Sequence, residues 1–297
     1  MPTRTALVTA ELGADHDHDL PLARAALEDA GLRVDVVRWD DPDADWDAFD
    51  LVVVRSCWDY TWRVDEFLGW AAGVARLENP VQVLRWNADK RYLRDLAAAG
   101  CPVVPTVWDP AAADELPEAA EWVVKPAVSA GSRDTARWTD PADVLAHVGE
   151  LRAAGRTAMV QPYVAAVDAV GETALLHFGG TFSHAVQKGP LLLPGEGVQQ
   201  DRMGREDLRP VTARPDQLAV GQAALGAVRS VLGHEPPLLY ARVDVVDGPD
   251  GTPLVLELEL VEPSLFLPQS DGGAARLVAA VEAALGRRTP TVTGGGG

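Results

Sequence analysis

The chain has little lysine and little positive charge. Of its 26 basic residues only Lys90, Lys125 and Lys188 are lysines, and 44 acidic residues bring the formal net charge to −18 at pH 7. Phosphate backbones are bound by basic surfaces, so this charge argues against a general nucleic-acid binder. A single nucleotide needs only a local cationic pocket, which the net charge does not exclude.

Long apolar runs and cysteines are scarce as well. No run approaches the roughly 20 residues that a membrane span needs, and the first residues lack the apolar segment and cleavage site of a signal peptide. Cys57 and Cys101 are too few for a disulfide framework. Cys57 also has no histidine arranged to activate it, so we expect a buried thiol there. These absences predict a cytoplasmic protein that does not bind membranes.

The hydrophobic pattern of the first third predicts a parallel α/β layer. A chain of 297 residues typically divides into two or three modules. Strand, helix, strand, loop, strand is the order that gives a parallel sheet. The predicted elements are strands at residues 5–10, 32–39 and 49–56, helices at 20–31 and 64–77, and a last strand or strand edge at 81–86.

Two hairpins stand out in the remainder of the chain. One spans residues 172–190 around Gly179 and Gly180, and the other spans residues 238–263 across an Asp-Gly-Pro-Asp-Gly turn. The other predicted elements are helices at residues 89–99, 140–155, 217–233 and 271–286, and strands at 122–127 and 157–164.

The second hairpin contains a candidate metal site. Glu257 and Glu259 point to the same face of their strand, because side chains alternate with period two. Pairing across the turn brings Asp244 beside them, and three carboxylates at such short range need a compensating cation. Oxygen ligands suit Mg²⁺ or Mn²⁺. A solvated acidic strand would show the same alternation.

The three lysines are candidates for binding phosphate, although leftover surface lysines are the simpler interpretation. An ammonium is a compact point charge that suits a tight phosphate pocket better than a planar guanidinium does. Lys125 ends a strand before a loop with Ser129, Gly131 and Ser132, whose small side chains let backbone N–H groups approach phosphate. Lys188 ends the first hairpin, and Lys90 lies near a helix start.

Six motifs in order resemble the ATP-grasp ligases. They are Lys90 at a helix start, "VVKP", "QPYV…GE", "QKGP", "ARVD" and "LELELVEP", which together span residues 88–267. The glutathione-synthetase-like branch is the most similar, and "RSCWDY", "FSHAVQKGP" and "ELELVEPSLF" resemble the O-ureido-serine cyclo-ligase family of cycloserine biosynthesis. The resemblance implies an α/β fold with an N-terminal domain (1–87), a central subdomain (88–163) and a C-terminal subdomain (164–297) that clasp ATP.

The resemblance also implies roles for individual residues. Lys90 and Lys125 would contact the nucleotide phosphates, Lys188 the adenine or terminal phosphates, and Arg242 the reacting phosphoryl group. The adenine edge would be bound by Gln161, Pro162, Tyr163 and Val164, the ribose by Asp168 or its rival Glu172, and Mg²⁺ by Asp244, Glu257 and Glu259. The family often has Asn where this chain has Glu259, which leaves the number of metal ions open, and Glu262 is a further possible ligand.

Substrate contacts are predicted at the ends of strands and in one loop. Arg55 lies at the end of the strand at 49–56, and Trp58 and Tyr60 follow it, where open α/β sheets bind ligands. Residues 195–209 are rich in glycine and charge, so we expect a mobile lid in which Arg202 binds a substrate carboxylate. His16 and His18 fit a solvated loop better than a metal site.

The resulting functional expectation is an ATP-dependent carbon–nitrogen ligase. It would activate a carboxylate of a small amino-acid-derived substrate as an acyl phosphate and, if the nearest resemblance holds, close a ring. A small-molecule kinase on the same scaffold and a non-catalytic nucleotide-binding module are the alternatives. A homodimer is an open option for its assembly.

Overall fold

The computed structural model describes residues 3–200 and 207–288. Its N-terminal layer is a parallel sheet, as predicted, and it has four strands in the order β2-β1-β3-β4. Helix α2 forms because Leu20, Ala23 and Leu27 recur at helical spacing and are buried on one face. The elements are β1 (Arg4–Thr9), α1 (Glu11–Ala14), α2 (Leu20–Asp29), β2 (Arg33–Arg38), β3 (Leu51–Ser56), α3 (Val64–Gly73) and β4 (Leu77–Glu78).

Residues 81–86, which we expected to form a strand or strand edge, are helical. They lie in α4 (Val81–Asn87), and the helix predicted over 64–77 ends at Gly73 before strand β4. The helix is stabilised at its end, because the Asn87 amide donates to the Leu258 carbonyl (2.8 Å) and accepts from the Leu260 N–H (2.7 Å). The Asn87 side chain thus makes the two hydrogen bonds with Leu258 and Leu260 that the backbone of a neighbouring strand would otherwise make. Helix α5 (Tyr92–Ala98) follows, starting three residues after Asp89.

The central sheet is antiparallel and has its own small core. Its strand order is β5-β8-β6-β7, and α6 packs against it. Trp122, Val124, Val144 and Val160 are among the buried residues between sheet and helix. The elements are β5 (Val107–Trp108), β6 (Trp122–Pro126), β7 (Ala136–Trp138), α6 (Pro141–Ala153) and β8 (Ala158–Pro162).

The C-terminal sheet contains both predicted hairpins. It is antiparallel in the order β11-β10-β9-β12-β13, with the β9–β10 turn at Gly179 and Gly180 as predicted. Its elements are α7 (Ala166–Val170), β9 (Glu172–Phe178), β10 (Thr181–Lys188), β11 (Leu208–Val211), α8 (Pro215–Leu232), β12 (Tyr240–Asp247), β13 (Pro253–Glu259) and α9 (Gly273–Arg288).

The N-terminal layer and the C-terminal sheet share one hydrophobic core. Leu7 and Leu51 of the parallel sheet lie in the same buried cluster as Leu176 and Tyr240. A second cluster joins α4 and α5 to the opposite face of the C-terminal sheet. The three predicted domain boundaries stay predictions. Among the described residues we find no helix of the length and apolarity required to cross a membrane.

Candidate active site

A cavity of about 860 Å³ lies where the three sheets meet. It is bounded by the loops after β1 and β3, by the edge of the central sheet, and by the faces of β10, β12 and β13. Most of the predicted site residues line it: Trp58, Tyr60, Lys90, Lys125, Ser129, Gly131, Ser132, Gln161, Pro162, Tyr163, Val164, Glu172, Lys188, Arg242, Glu257 and Glu259.

The β12–β13 hairpin places its charged side chains together as the alternation predicted. Asp244 lies opposite Glu257 and Arg242 lies opposite Glu259 in the strand register. The Arg242 guanidinium donates from Nε to Asp244 Oδ1 (2.9 Å) and from Nη2 to Oδ2 (3.1 Å), and it also bonds Glu259. One arginine therefore holds two of the three carboxylates.

Two of the lysines pair with carboxylates of this cluster. Lys188 Nζ lies 2.7 Å from Asp244 Oδ2 and 2.9 Å from Glu172 Oε2, and Lys90 Nζ lies 3.1 Å from Glu257 Oε1. Each predicted metal ligand thus has a cationic partner. Within residues 3–200 and 207–288, no three His, Cys, Asp or Glu residues converge to hold a metal ion.

The carboxylates differ strongly in their affinity for protons. Burial alone would raise the pKa of Glu257, but the ammonium groups of Lys90 and Lys125 lower it to about 2. Burial raises the pKa of Glu259 to about 7 despite Arg242, with Glu257 and Asp244 adding to the effect. For Asp244, the attraction of Arg242 and Lys188 outweighs burial and lowers the pKa. The site therefore keeps Glu257 and Asp244 ionised, whereas Glu259 titrates near neutral pH.

Lys125 differs from the other two lysines in its partners. It lines the cavity, yet its ammonium makes no hydrogen bond or ion pair with residues in the described part of the chain. Burial lowers the pKa of Lys125, and the attraction of Glu257 opposes that change. An ammonium in this setting is available to an anionic ligand.

The small-residue loop after β6 has a backbone suited to close approach. Gly131, Ser132 and Asp134 have positive φ angles of 62°, 57° and 52°. The Lys90 ammonium donates to the Ser129 carbonyl (2.8 Å) and so attaches the loop to one of the lysines predicted to bind phosphate. The Asp134 N–H donates to the Gln199 carbonyl (2.8 Å), so the loop also contacts the segment after β10.

The two candidates for binding ribose are placed differently. Asp168 bonds both Nη atoms of Arg137 at 3.0 Å and accepts from the Tyr163 hydroxyl, and it lies outside the cavity lining. Glu172 lines the cavity beside Lys188. The geometry therefore favours Glu172, although neither role is established.

Arg55, predicted to bind a substrate carboxylate, is buried and is not part of the cavity lining, so the geometry disfavours that role. Arg55 is 1% exposed and lies behind the cavity wall, 3.7 Å from Asp17 and 3.9 Å from Asp19. Its Nη2 donates to the Pro263 carbonyl (3.0 Å). The Arg55 guanidinium thus bonds the backbone of a segment far away in the sequence, and such a partner cannot be predicted from sequence spacing.

Residues 262–267, which we call the 262–267 segment, are fixed by the N-terminal domain. Trp58 Nε1 donates to the Glu262 carbonyl (3.3 Å), and Arg242 donates to the Ser264 carbonyl (3.3 Å). The Asp19 carboxylate accepts from three successive backbone N–H groups. Asp19 was missed in the sequence, where its only signal was a run of alternating Asp and His.

The remaining candidates have modest roles. His16 and His18 are exposed at the cavity rim, as expected for a solvated loop. Cys57 is fully buried, and burial raises the pKa of its thiol, which disfavours the reactive thiolate. Arg202 lies outside the described residues, as does part of the predicted lid.

The fold around this cavity is that of the ATP-grasp ligases. The ATP-grasp ligase PsnB, in complex with a phosphomimetic variant of its minimal precursor, Mg and ADP, superposes with a TM-score of 0.63 at 15% identity, covering 96% of this chain and 99% of that one. Within this class, the chain belongs to the DcsG family. It is 41% identical over 293 residues to the cycloserine biosynthesis protein DcsG of Streptomyces lavendulae, which is 93% of this chain and 97% of the relative.

Two further comparisons agree. The crystal structure of D-cycloserine synthetase DcsG matches with a TM-score of 0.88 and 40% identity, covering 95% of this chain and 99% of that one. The family model described as the N-terminal domain of D-cycloserine synthetase DcsG matches residues 5–83. The expected resemblance is confirmed, and the protein is an ADP-forming, ATP-dependent carbon–nitrogen ligase for an amino-acid-derived substrate.

Proposed function

We propose that this enzyme closes the isoxazolidinone ring of cycloserine from O-ureido-serine. The observation that supports this most directly is that Lys188, Arg242 and Glu259 line a single cavity, with Asp244 holding both Lys188 and Arg242. The name of the similar DcsG protein supports the choice of product.

The reaction divides into two steps that this site can stabilise. First, the substrate carboxylate attacks the γ-phosphorus of ATP, the bond to the β,γ-bridging oxygen breaks, and ADP leaves. Arg242 and Lys188 provide positive charge for the transferring phosphoryl group. Second, the ureido nitrogen bonded to oxygen attacks the acyl carbon, and phosphate leaves with the electron pair of the C–O bond while the nitrogen loses its proton. Removal of the carbamoyl group by water then gives cycloserine, carbon dioxide and ammonia.

The nucleotide is proposed to lie between the central and C-terminal sheets. Lys125, without an ion-pair partner among the described residues, and Lys90 face its phosphates, and the strand end at 161–164 lies along the adenine edge. Glu172 is the candidate for the ribose hydroxyls. In this proposal the enzyme acts by positioning the reactants and stabilising charge, with no covalent step on the protein.

Magnesium is the cofactor that the family resemblance implies, and Asp244, Glu257 and Glu259 are the candidates to hold it. Their carboxylates lie on one face of the hairpin and are paired with cationic side chains, so they would exchange those partners for the metal. When bound, Mg²⁺ would neutralise phosphate oxygens. Glu257→Gln is expected to lower kcat by roughly a hundredfold or more and to weaken Mg²⁺ binding measured by calorimetry, because pre-organised charge is lost. Wild-type turnover and Mg²⁺ affinity in this variant would contradict the assignment.

Hydroxylamine trapping tests the proposed chemistry. Incubation with ATP, Mg²⁺, O-ureido-serine and hydroxylamine should give a hydroxamate, and without hydroxylamine the product should have the mass of cycloserine. A stable phosphoester would instead show a kinase. No ADP release in either arm would contradict both activities and favour a binding module.

A further inference from the structure

Glu262 is a buried acidic side chain that the proposed mechanism does not use. It lines the cavity and is 9% exposed. Within residues 3–200 and 207–288 its carboxyl group makes no hydrogen bond or ion pair, whereas Glu172, Glu257 and Glu259 each bond a cation. A buried carboxyl group that faces a cavity without a partner is costly unless a ligand supplies one.

The backbone of Glu262 and of the two residues after it is held by side-chain hydrogen bonds. Trp58 bonds the Glu262 carbonyl, Arg55 bonds the Pro263 carbonyl, and Arg242 bonds the Ser264 carbonyl at 3.3 Å. The side chain therefore has a fixed origin, two residues from a carbonyl that the candidate catalytic arginine contacts. A small ligand that lies on Arg242 would come within reach of Glu262.

The charge around Glu262 favours a cationic group. Asp17 and Asp19 also line the cavity, and among residues 3–200 and 207–288 the cation paired with them is the buried Arg55, which is not part of the cavity lining. Asp19 is fully occupied by backbone N–H groups, and Asp17 Oδ2 is buried. Burial, followed by the negative charge of Glu259, raises the pKa of Glu262 well above its ordinary value. Lys90 and Arg242 attract the ionised form of Glu262 but do not outweigh these effects, so a cationic ligand beside Glu262 would be favoured.

We propose that Glu262 receives the α-ammonium group of the substrate and thereby selects α-amino acids over carboxylic acids that lack the amine. This inference rests on the proposed function, in which the α-carboxylate of the same molecule reacts beside Arg242. In an α-amino acid the ammonium and carboxylate are attached to one carbon, so Glu262 and Arg242, which line the same cavity and interact electrostatically, can receive them together. Holding the ammonium also fixes the rotation of the carboxylate toward the phosphoryl group.

The experiment compares O-ureido-serine with its desamino analogue, 3-(ureidooxy)propanoate, by ADP release. The wild type should prefer the amino acid by roughly a hundredfold or more in kcat/KM, because a site built for a charged hydrogen bond rejects a ligand that lacks it. In Glu262→Gln the preference should fall to below about tenfold, mainly through a higher KM for the amino acid. Glu262→Asp keeps the charge and should retain an intermediate preference.

Three controls separate this role from the alternatives. Glu282→Gln, on the exposed surface of α9, should keep the wild-type preference. ATP affinity and melting temperature should be unchanged in Glu262→Gln, since a folding defect would alter both. The Mg²⁺ concentration for half-maximal rate should stay within about twofold of the wild type, because a metal ligand would shift it by 10-fold or more.

The outcomes that contradict the inference are distinct. Equal preference in wild type and Glu262→Gln overturns it and leaves the ring-closing reaction standing, and so does a shifted Mg²⁺ requirement with the preference retained. Failure of the wild type to release ADP with O-ureido-serine overturns the proposed function and this inference together.

Discussion

The surroundings of Lys125 indicate why a chain with 23 arginines has a lysine at this position. Its ammonium lines the cavity with no hydrogen-bond or ion-pair partner among the described residues, so it is free to meet a phosphate. Lys125→Arg should weaken ATP binding about as much as Lys125→Ala, by roughly tenfold or more, because the wider planar fork does not fit a pocket shaped for a point charge. Calorimetric titration with ATP measures this. Wild-type affinity in the arginine variant would show that charge alone matters.

Glu259 makes the stability of the ligand-free protein depend on pH. Burial raises its pKa from 4.5 to about 7, so the folded state keeps this proton over a range in which the unfolded state has lost it. The folded state therefore binds more protons, and the free energy of unfolding falls as pH rises from about 4.5 to 7. Glu257 acts oppositely at lower pH, because its folded pKa of about 2 makes stability fall as pH drops below 4.5.

Denaturant unfolding at about pH 5 and about pH 8 checks the Glu259 contribution. In Glu259→Gln the fall in stability between these pH values should be smaller than in the wild type, since the titrating group is absent. Glu282→Gln is the matched control and should keep the wild-type dependence. Identical pH dependence in wild type and Glu259→Gln would mean that Glu259 is ionised throughout.

At the scale of single residues, alternation predicted that Asp244, Glu257 and Glu259 share a face, and the register confirms it and places Arg242 opposite Glu259. The ion-pair partners of those residues could not be predicted from the sequence. Lys90 and Lys188 meet the carboxylates from other elements, and such ion pairs depend on packing that no local pattern encodes. The backbone partner of Arg55 could not be predicted either, because the Pro263 carbonyl is 208 residues away in the sequence.

Gly171 sets the position of the strand that presents Lys188. It ends α7 with a φ of +75°, and a Cβ there would lie 2.2 Å from the Lys188 carbonyl oxygen. Gly171→Ala should therefore combine backbone strain with a backbone clash, lower stability by about 2 kcal/mol or more, and weaken ATP binding by displacing Lys188.

Two other glycines calibrate this effect. Gly100 has a φ of +82° with nothing within 4 Å, so Gly100→Ala should cost about 1 kcal/mol from strain alone. Gly149 lies inside α6 with open space around it, so Gly149→Ala should raise stability by about 0.5–1 kcal/mol. Denaturant unfolding and ATP titration of the three alanine variants measure these effects. Equal stability losses in Gly171→Ala and Gly100→Ala would contradict the predicted clash.

Hairpins were predictable at the scale of elements, whereas α4 was not. Gly179-Gly180 and the Asp-Gly-Pro-Asp-Gly turn determine their hairpins locally. Residues 81–86 have an apolar pattern that fits a strand as well as a helix, and the choice is made by Asn87 bonding the edge of β13. That contact is tertiary, so a local pattern cannot decide it.

At the scale of the whole molecule, the Asp19 carboxylate is one of the groups that join the N-terminal domain to the 262–267 segment. Asp19, at the start of α2, accepts from the backbone N–H groups of Leu265 (2.6 Å), Phe266 (3.1 Å) and Leu267 (2.7 Å), about 250 residues later in the chain. It is 3% exposed, so water cannot replace these bonds. The contact fixes the 262–267 segment, and with it Glu262, against the N-terminal domain.

Asp19→Asn tests this connection. The amide keeps one acceptor oxygen but turns an NH₂ group toward backbone donors, which leaves at least one buried N–H unsatisfied at a cost of about 1–3 kcal/mol. We expect a lower midpoint of unfolding, faster amide exchange at residues 265–267, and a higher KM for the amino-acid substrate with ATP affinity unchanged. Asp15→Asn, on the exposed side of the same loop, should change none of these. If exchange at 265–267 is unaltered while stability falls, Asp19 stabilises the N-terminal layer alone, and the site does not depend on the contact between the two ends of the chain.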